Sequence, residues 1–115
     1  MKRFADAWRG LVFMLRGQWS AKAHMALSAL TVALAVVLEV PAADWRWLIA
    51  AMVWVWTAEA LNTGIESLGD AITRERHEEV GRAKDVAAGG VLVAAVGAAA
   101  IGAMVFLPPL RALLF

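Results

Sequence analysis

Polar and apolar positions alternate along this chain in blocks rather than evenly. In residues 3 to 18, Phe4, Ala7, Trp8, Leu11, Val12 and Leu15 recur at three- and four-residue spacing, while Arg3, Asp6, Arg9 and Arg16 point elsewhere. That period predicts an amphipathic helix, of the kind that lies in a membrane interface with its apolar stripe in the acyl boundary. Residues 22 to 40 contain the uncharged run MALSALTVALAVVL, with Lys22, His24 and Glu39 toward its ends. The run predicts a first spanning helix whose terminal charges snorkel to the interface. VPAADW (40 to 45) reads as a turn, with Pro41 ending that helix. A second helix follows over 46 to 72, apolar in its first half and polar in its second. TRERHEEVGRAKD (73 to 85) is charged and is expected to face water. The apolar run 86 to 107 predicts a third span, stopped by Pro108 and Pro109.

Composition strengthens the membrane reading. The chain has 115 residues, 62% of them hydrophobic. A soluble domain of that size exposes too much of its surface to hide so much apolar area. The expected fold is therefore an all-α integral membrane protein of one domain, 1 to 115. It has an N-terminal interfacial amphipathic helix and three transmembrane helices. There are no cysteines, which excludes a disulfide framework and a thiolate metal site. Asp6, Arg9 and Arg16 interrupt the first apolar stretch, so the expectation is that it is no cleaved signal.

A net charge of +1 conceals an asymmetry. Nine of the eleven cations fall in the N-terminal segment (Lys2, Arg3, Arg9, Arg16, Lys22) and the second connection (Arg74, Arg76, Arg82, Lys84). The first connection holds only Arg46 and the C-terminal segment only Arg111. With three spans, the cation-rich ends share one side, which is expected to be cytoplasmic. In the third span Gly90, Ala94, Ala98 and Gly102 form a stripe that permits close helix packing, within one chain or between copies.

The stretch EALNTGIESLGD, residues 59 to 70, carries the candidate chemistry. Glu59, Asn62, Glu66 and Asp70 stand at i, i+3, i+7 and i+11. At about 100° per residue they fall within a sector of roughly 80°, a polar file running from inside the span to its end. Acids in a span are costly unless they meet a cavity, a partner or an ion. Three readings follow. The file is a Mg²⁺–nucleotide site, with carboxylates on the metal, Lys84 on a phosphate and Glu59 as base toward a lipid hydroxyl. Or it is a proton or cation path. Or it hydrogen-bonds neighbouring helices in an oligomer. Four residues in register weaken the last reading, and the GRAKD segment stays unexplained by the second. No Gly-x-x-x-x-Gly-Lys-Ser/Thr loop is present, which sets conventional P-loop kinases aside.

The same stretch resembles the signature of the prokaryotic diacylglycerol kinases, a family that includes the undecaprenol kinases. GRAKD at 81 to 85 and WRGL at 8 to 11 add to the resemblance. It implies a homotrimer in the bacterial inner membrane with its N-terminus cytoplasmic. Shared sites would move the γ-phosphate of MgATP onto diacylglycerol or undecaprenol. It implies Glu59 as general base, supported by Asn62, and Glu66 as ligand of the metal and nucleotide. Asp70, Glu75, His77, Glu78, Lys84 and Asp85 would lie around ATP. Where the family commonly has a further Glu, eight residues after the Gly of WRGL, this chain has Gln18. Gln18 can offer the metal a carbonyl oxygen but no charge. Gly64 and Gly69 also depart from the signature and are expected to loosen the second helix by up to about 1 kcal/mol each. The alternative of another class is a non-catalytic or ion-conducting membrane oligomer.

Overall fold

A computed structural model describes residues 2 to 115. The chain is all-helical: α1 (Lys2–Gly17), α2 (Trp19–Val37), α3 (Ala42–Ile72) and α4 (Glu78–Leu114). Three of these, α2, α3 and α4, are long and apolar enough to cross a membrane. At about 1.5 Å per residue α2 is roughly 28 Å long, close to the thickness of a bilayer's hydrocarbon core. Most large apolar side chains are exposed, including Leu30, Val37, Trp54, Leu92 and Met104. The protein is thus apolar on its outside, as a chain solvated by lipid must be.

The α1–α2 joint falls at Gln18, whose backbone is extended (φ −104°, ψ 125°). Its N–H still bonds to Met14 O, and its own carbonyl accepts from Lys22 N. One residue thus reorients the chain without orphaning the helix ends. Gln18 occupies the N-cap position, yet its side chain makes no cap.

The turn between α2 and α3 differs from the expected Pro41 stop. Leu38 caps α2, and Glu39 takes a left-handed conformation with φ 54°. Glu39 N bonds to Val36 O at 3.2 Å and Val40 N to Ala35 O at 3.0 Å. These are the two crossed bonds of a Schellman motif, completed by burial of Val40 and Ala35 together. Pro41 then starts α3, its carbonyl accepting from Asp44 and Trp45. The cluster of Ala35, Val40, Leu48 and Val105, with Trp45 and Phe106 against it, ties this end of all three long helices together.

The second connection is shorter than the charged run suggested. Only residues 73 to 77 are non-helical, and α4 begins at Glu78 rather than at 86. His77 Nδ1 accepts from Val80 N, capping the helix. Glu78 and Glu79 stand in its positive first turn and pair with Arg82. Charge there builds a helix start and not a loop. At the far end α4 runs through Pro108 and Pro109 to Leu114, seven residues beyond the expected stop. The two prolines remove backbone donors, but their fixed φ is helical, and helices in membranes tolerate them where neighbours compensate.

The main packing is α3 against α4, with α2 against α3 and α1 beside both. Gly69 is buried where α3 and α4 meet; a Cβ there would lie 2.7 Å from Lys84 Cε and 3.1 Å from Val80 Cγ1. Beyond any effect on helix propensity, Gly69 therefore serves packing: its missing side chain lets Lys84 cross the helix. Gly64 has open space around its Cβ position. Of the small-residue stripe, Ala94 is buried within the chain, Ala98 and Gly102 are half-buried, and Gly90 is exposed.

Candidate functional site

The polar file on α3 keeps its register, because one uninterrupted helix spans all four residues. Over eleven residues it extends about 16 Å along the axis. Its inner end is dry. Glu59 is 1% exposed, the least accessible charged residue described. Ser20 of α2 donates its hydroxyl to Glu59 Oε1 at 2.5 Å. His24, one turn further along α2, brings Nε2 to 3.4 Å from Oε2. That separation is within ion-pair reach but makes no hydrogen bond, so Oε2 stays buried without one. His24 sits edge-on to the Trp56 indole, with ring centres 6.5 Å apart. Trp56 Nε1 in turn donates to Ser28 Oγ at 3.0 Å. Trp56 thus makes a polar contact with α2, whereas Trp54 is exposed.

Asn62 is half-buried, with Oδ1 buried and unpartnered, and the neighbouring Thr63 hydroxyl is in the same condition. Unpartnered buried polar atoms are uncommon and call for a reason. Here they follow directly upon Glu59 along α3, so buried hydrogen-bonding capacity is concentrated at one level.

The outer end is charged and wetter. Lys84 Nζ donates to Asp70 Oδ1 at 2.7 Å and lies 3.6 Å from Glu66 Oε2. The Glu66 and Asp70 side chains are 40% and 41% exposed. The structure therefore brings Glu66, Asp70 and Lys84 together across the α3–α4 seam. The other candidates are engaged differently: His77 caps α4, Glu78 pairs with Arg82, and Asp85, next to Lys84 in the chain, is exposed. Glu75 is exposed in the connection, its N–H bonded to Thr73 Oγ1. Gln18 is half-buried at the α1–α2 joint.

A cavity of about 280 Å³ opens between α2, α3 and α4. His24, Ser28 and Thr31 line one side and Met52, Ala98 and Phe106 others. A second, of about 270 Å³, lies between α1 and α3, lined by Met14, Ala60, Thr63 and Ser67. Both spaces are largely apolar, and none of Glu59, Asn62, Glu66 and Asp70 lines either of them.

The sequence model of the family described as prokaryotic diacylglycerol kinase matches residues 5–106. The chain belongs to that family. Among curated proteins it is 33% identical to an undecaprenol kinase of Bacillus subtilis, over 95% of this chain and 89% of that one. It is 38% identical to the diacylglycerol kinase of Escherichia coli K12, over 84% of this chain and 79% of that one. A diacylglycerol kinase of Synechocystis is 32% identical over 96% of this chain, which spans 64% of that longer protein. Members under both names thus match most of the chain. This is a membrane-helical protein of a lipid kinase family.

Ser20, His24 and Ser28 were missed by sequence reasoning. A signal existed: they stand at i, i+4 and i+8 in a run whose other residues, Lys22 apart, are apolar, a polar stripe down one face of α2. Thr63, sandwiched between Asn62 and Gly64, carried no such periodic mark.

Proposed function

We propose that the protein moves the γ-phosphoryl group of ATP onto the hydroxyl of a membrane lipid alcohol, diacylglycerol or undecaprenol. One observation carries the reading: a single helix holds a buried carboxylate, Glu59, in line with a water-accessible cluster of Glu66, Asp70 and Lys84. The two halves suit the two substrates. A lipid hydroxyl arrives from the bilayer at the dry end, and a nucleotide arrives from water at the charged end.

In the step proposed, Glu59 takes the hydroxyl proton as the alcohol oxygen bonds to Pγ. The bond from Pγ to the bridging oxygen of ADP breaks, and ADP leaves with that oxygen. Such a transfer asks little covalent chemistry of a protein; positioning and charge stabilisation supply most of the rate. Lys84 has three N–H donors and can turn one to a phosphate oxygen while keeping a carboxylate partner. Asn62 offers its unpartnered Oδ1 between the two ends. Asp85 would contact the nucleotide, with Glu75, His77 and Glu78 in its neighbourhood.

The donor set fits Mg²⁺ shared with phosphates. Among the described residues no three His, Asp or Glu converge into a cage. Mg²⁺ takes one or two carboxylates and fills its remaining positions with phosphate oxygens and water, which is what Glu66 and its neighbours can offer. Glu66 would hold it, with Gln18 contributing a carbonyl oxygen. Bound there, the ion neutralises charge on the phosphoryl oxygens.

The cation bias puts the α1 end and the 73–77 connection on the cytoplasmic side of the inner membrane, with α1 lying in the interface. Three copies would complete the walls around each file. The deciding measurement is transfer of label from γ-labelled ATP to lipid, using the purified protein in bilayers with diacylglycerol and undecaprenol offered separately. Labelled lipid product supports the reading and names the acceptor. Absence of transfer to either, together with proton flux across vesicles, would support the ion-conducting oligomer instead.

A further inference from the structure

Glu59 is met by α2, and the contact is uneven. Ser20 hydrogen-bonds Oε1, while Oε2 faces His24 at 3.4 Å and has no hydrogen bond. An acid kept only for packing between helices gains by satisfying both oxygens, since a buried unpaired oxygen costs stability. Here one oxygen is fixed and its twin is left free to react. His24 is itself held, edge-on to Trp56, whose indole N–H is anchored on Ser28. Ser20, His24 and Ser28 are successive turns of one face of α2, so the contacts to Glu59 and Trp56 of α3 all come from that one face.

We propose that Ser20 and His24 are positioning residues for Glu59: Ser20 anchors Oε1 and His24 faces Oε2, leaving Oε2 as the oxygen that takes the lipid hydroxyl's proton. This inference rests on the kinase reading. In the step it refines, the proton passes from the alcohol oxygen to Oε2 as that oxygen bonds to Pγ and the bond to ADP breaks. Ser20 gives up no proton; it holds the carboxylate plane. The arrangement belongs to α2, so the orientation of the first span relative to α3 sets the aim of the base.

The test is steady-state kinetics of lipid phosphorylation by the full-length protein in bilayers. Ser20→Ala and His24→Ala are each expected to lower kcat about tenfold, the effect of losing one contact to a charged group, with the KM for MgATP unchanged. Ser20→Thr, which keeps an O–H donor to Oε1, and His24→Gln, which keeps a polar side chain facing Oε2, are expected to recover most of that loss. In a Glu59→Asp background the shortened carboxylate has already left both partners, so Ser20→Ala and His24→Ala should add nothing. A role in folding alone would lower activity in both backgrounds and would not respond to the donor. Ser20→Cys, with similar volume and a weaker donor, gives the same comparison if Ser20→Ala does not assemble. Wild-type kcat in Ser20→Ala and His24→Ala, or equal losses in the Glu59→Asp background, overturns the inference while an active wild type and an inactive Glu59→Gln leave the kinase reading standing. A wild type that phosphorylates neither lipid defeats that reading first.

Discussion

Glu59 and Asp70 lie on one face of one helix, yet they are held by opposite means. Glu59 is 1% exposed and is met from α2 by a hydroxyl and an imidazole. Asp70, three turns on, is 41% exposed and is met from α4 by the flexible ammonium of Lys84. A buried contact with short side chains fixes geometry, because few rotamers fit and no water competes. An exposed ion pair on a long lysine is screened, weak and exchangeable. Under the proposed function, the inner end would aim one oxygen, and the outer end would trade partners so that an incoming phosphate could share Lys84 with Glu66 and Asp70.

That contrast is broken first at Glu59. Glu59→Gln keeps the shape and removes the base, so kcat should fall by about 10² to 10⁴ with oligomer and MgATP affinity intact. A rate within a few-fold of wild type would show that the dry end carries no chemistry. At the outer end, Glu66→Ala or Lys84→Ala should instead weaken MgATP by about 10- to 100-fold, read as a dissociation constant by calorimetry. Unchanged affinity would leave the cluster as mere helix pairing. Raising ionic strength should move the KM for MgATP and leave the maximal rate with saturating lipid nearly constant.

A smaller effect tests the seam itself. Gly69→Ala places a Cβ 2.7 Å from Lys84 Cε, so the end of the lysine must shift, and the prediction is that its pairing with Asp70 weakens. The KM for MgATP should rise by a few-fold, roughly the worth of one exposed ion pair, although Ala is the better helix former. A tighter or unchanged KM would mean that Lys84 need not cross there. Smallest of all, Gln18→Glu should lower the half-saturating Mg²⁺ concentration by about threefold, as one added screened charge allows. Gln18 stands at the start of α2 with its side chain unused as a cap, so a carboxylate fits the helix's positive end. An identical Mg²⁺ dependence would remove position 18 from the metal's surroundings.

The helices themselves were legible because each is a long apolar run with one period. Their ends were less so. The stop at Glu39 depends on crossed backbone bonds and on Val40 finding Ala35, which no single residue announces. The charged run 73 to 85 read as a loop because exposed charge is common to loops and to first helical turns. What separates them is the cap from His77 and the pairing of Glu78 and Glu79 with Arg82. Pro108 and Pro109 read as a stop because proline weakens a helix locally, and α4 continues past them nonetheless. Gly69 is the sharpest case. Propensity marks it as a weak point, whereas the α4 side chain lying across it marks it as a point of contact.

The sequence by itself determined that the chain is membrane-helical, that four polar residues share one face of a helix, and that cations gather at one end. Those properties follow from composition and the 3.6-residue period, which are local. Tertiary structure alone decided which helix meets which carboxylate: Ser20 and His24 reach Glu59 from 39 and 35 positions away, and Lys84 bridges Asp70 across a seam opened by Gly69. Such contacts depend on how three rods pack, and packing is set by the summed fit of many small side chains rather than by any one motif.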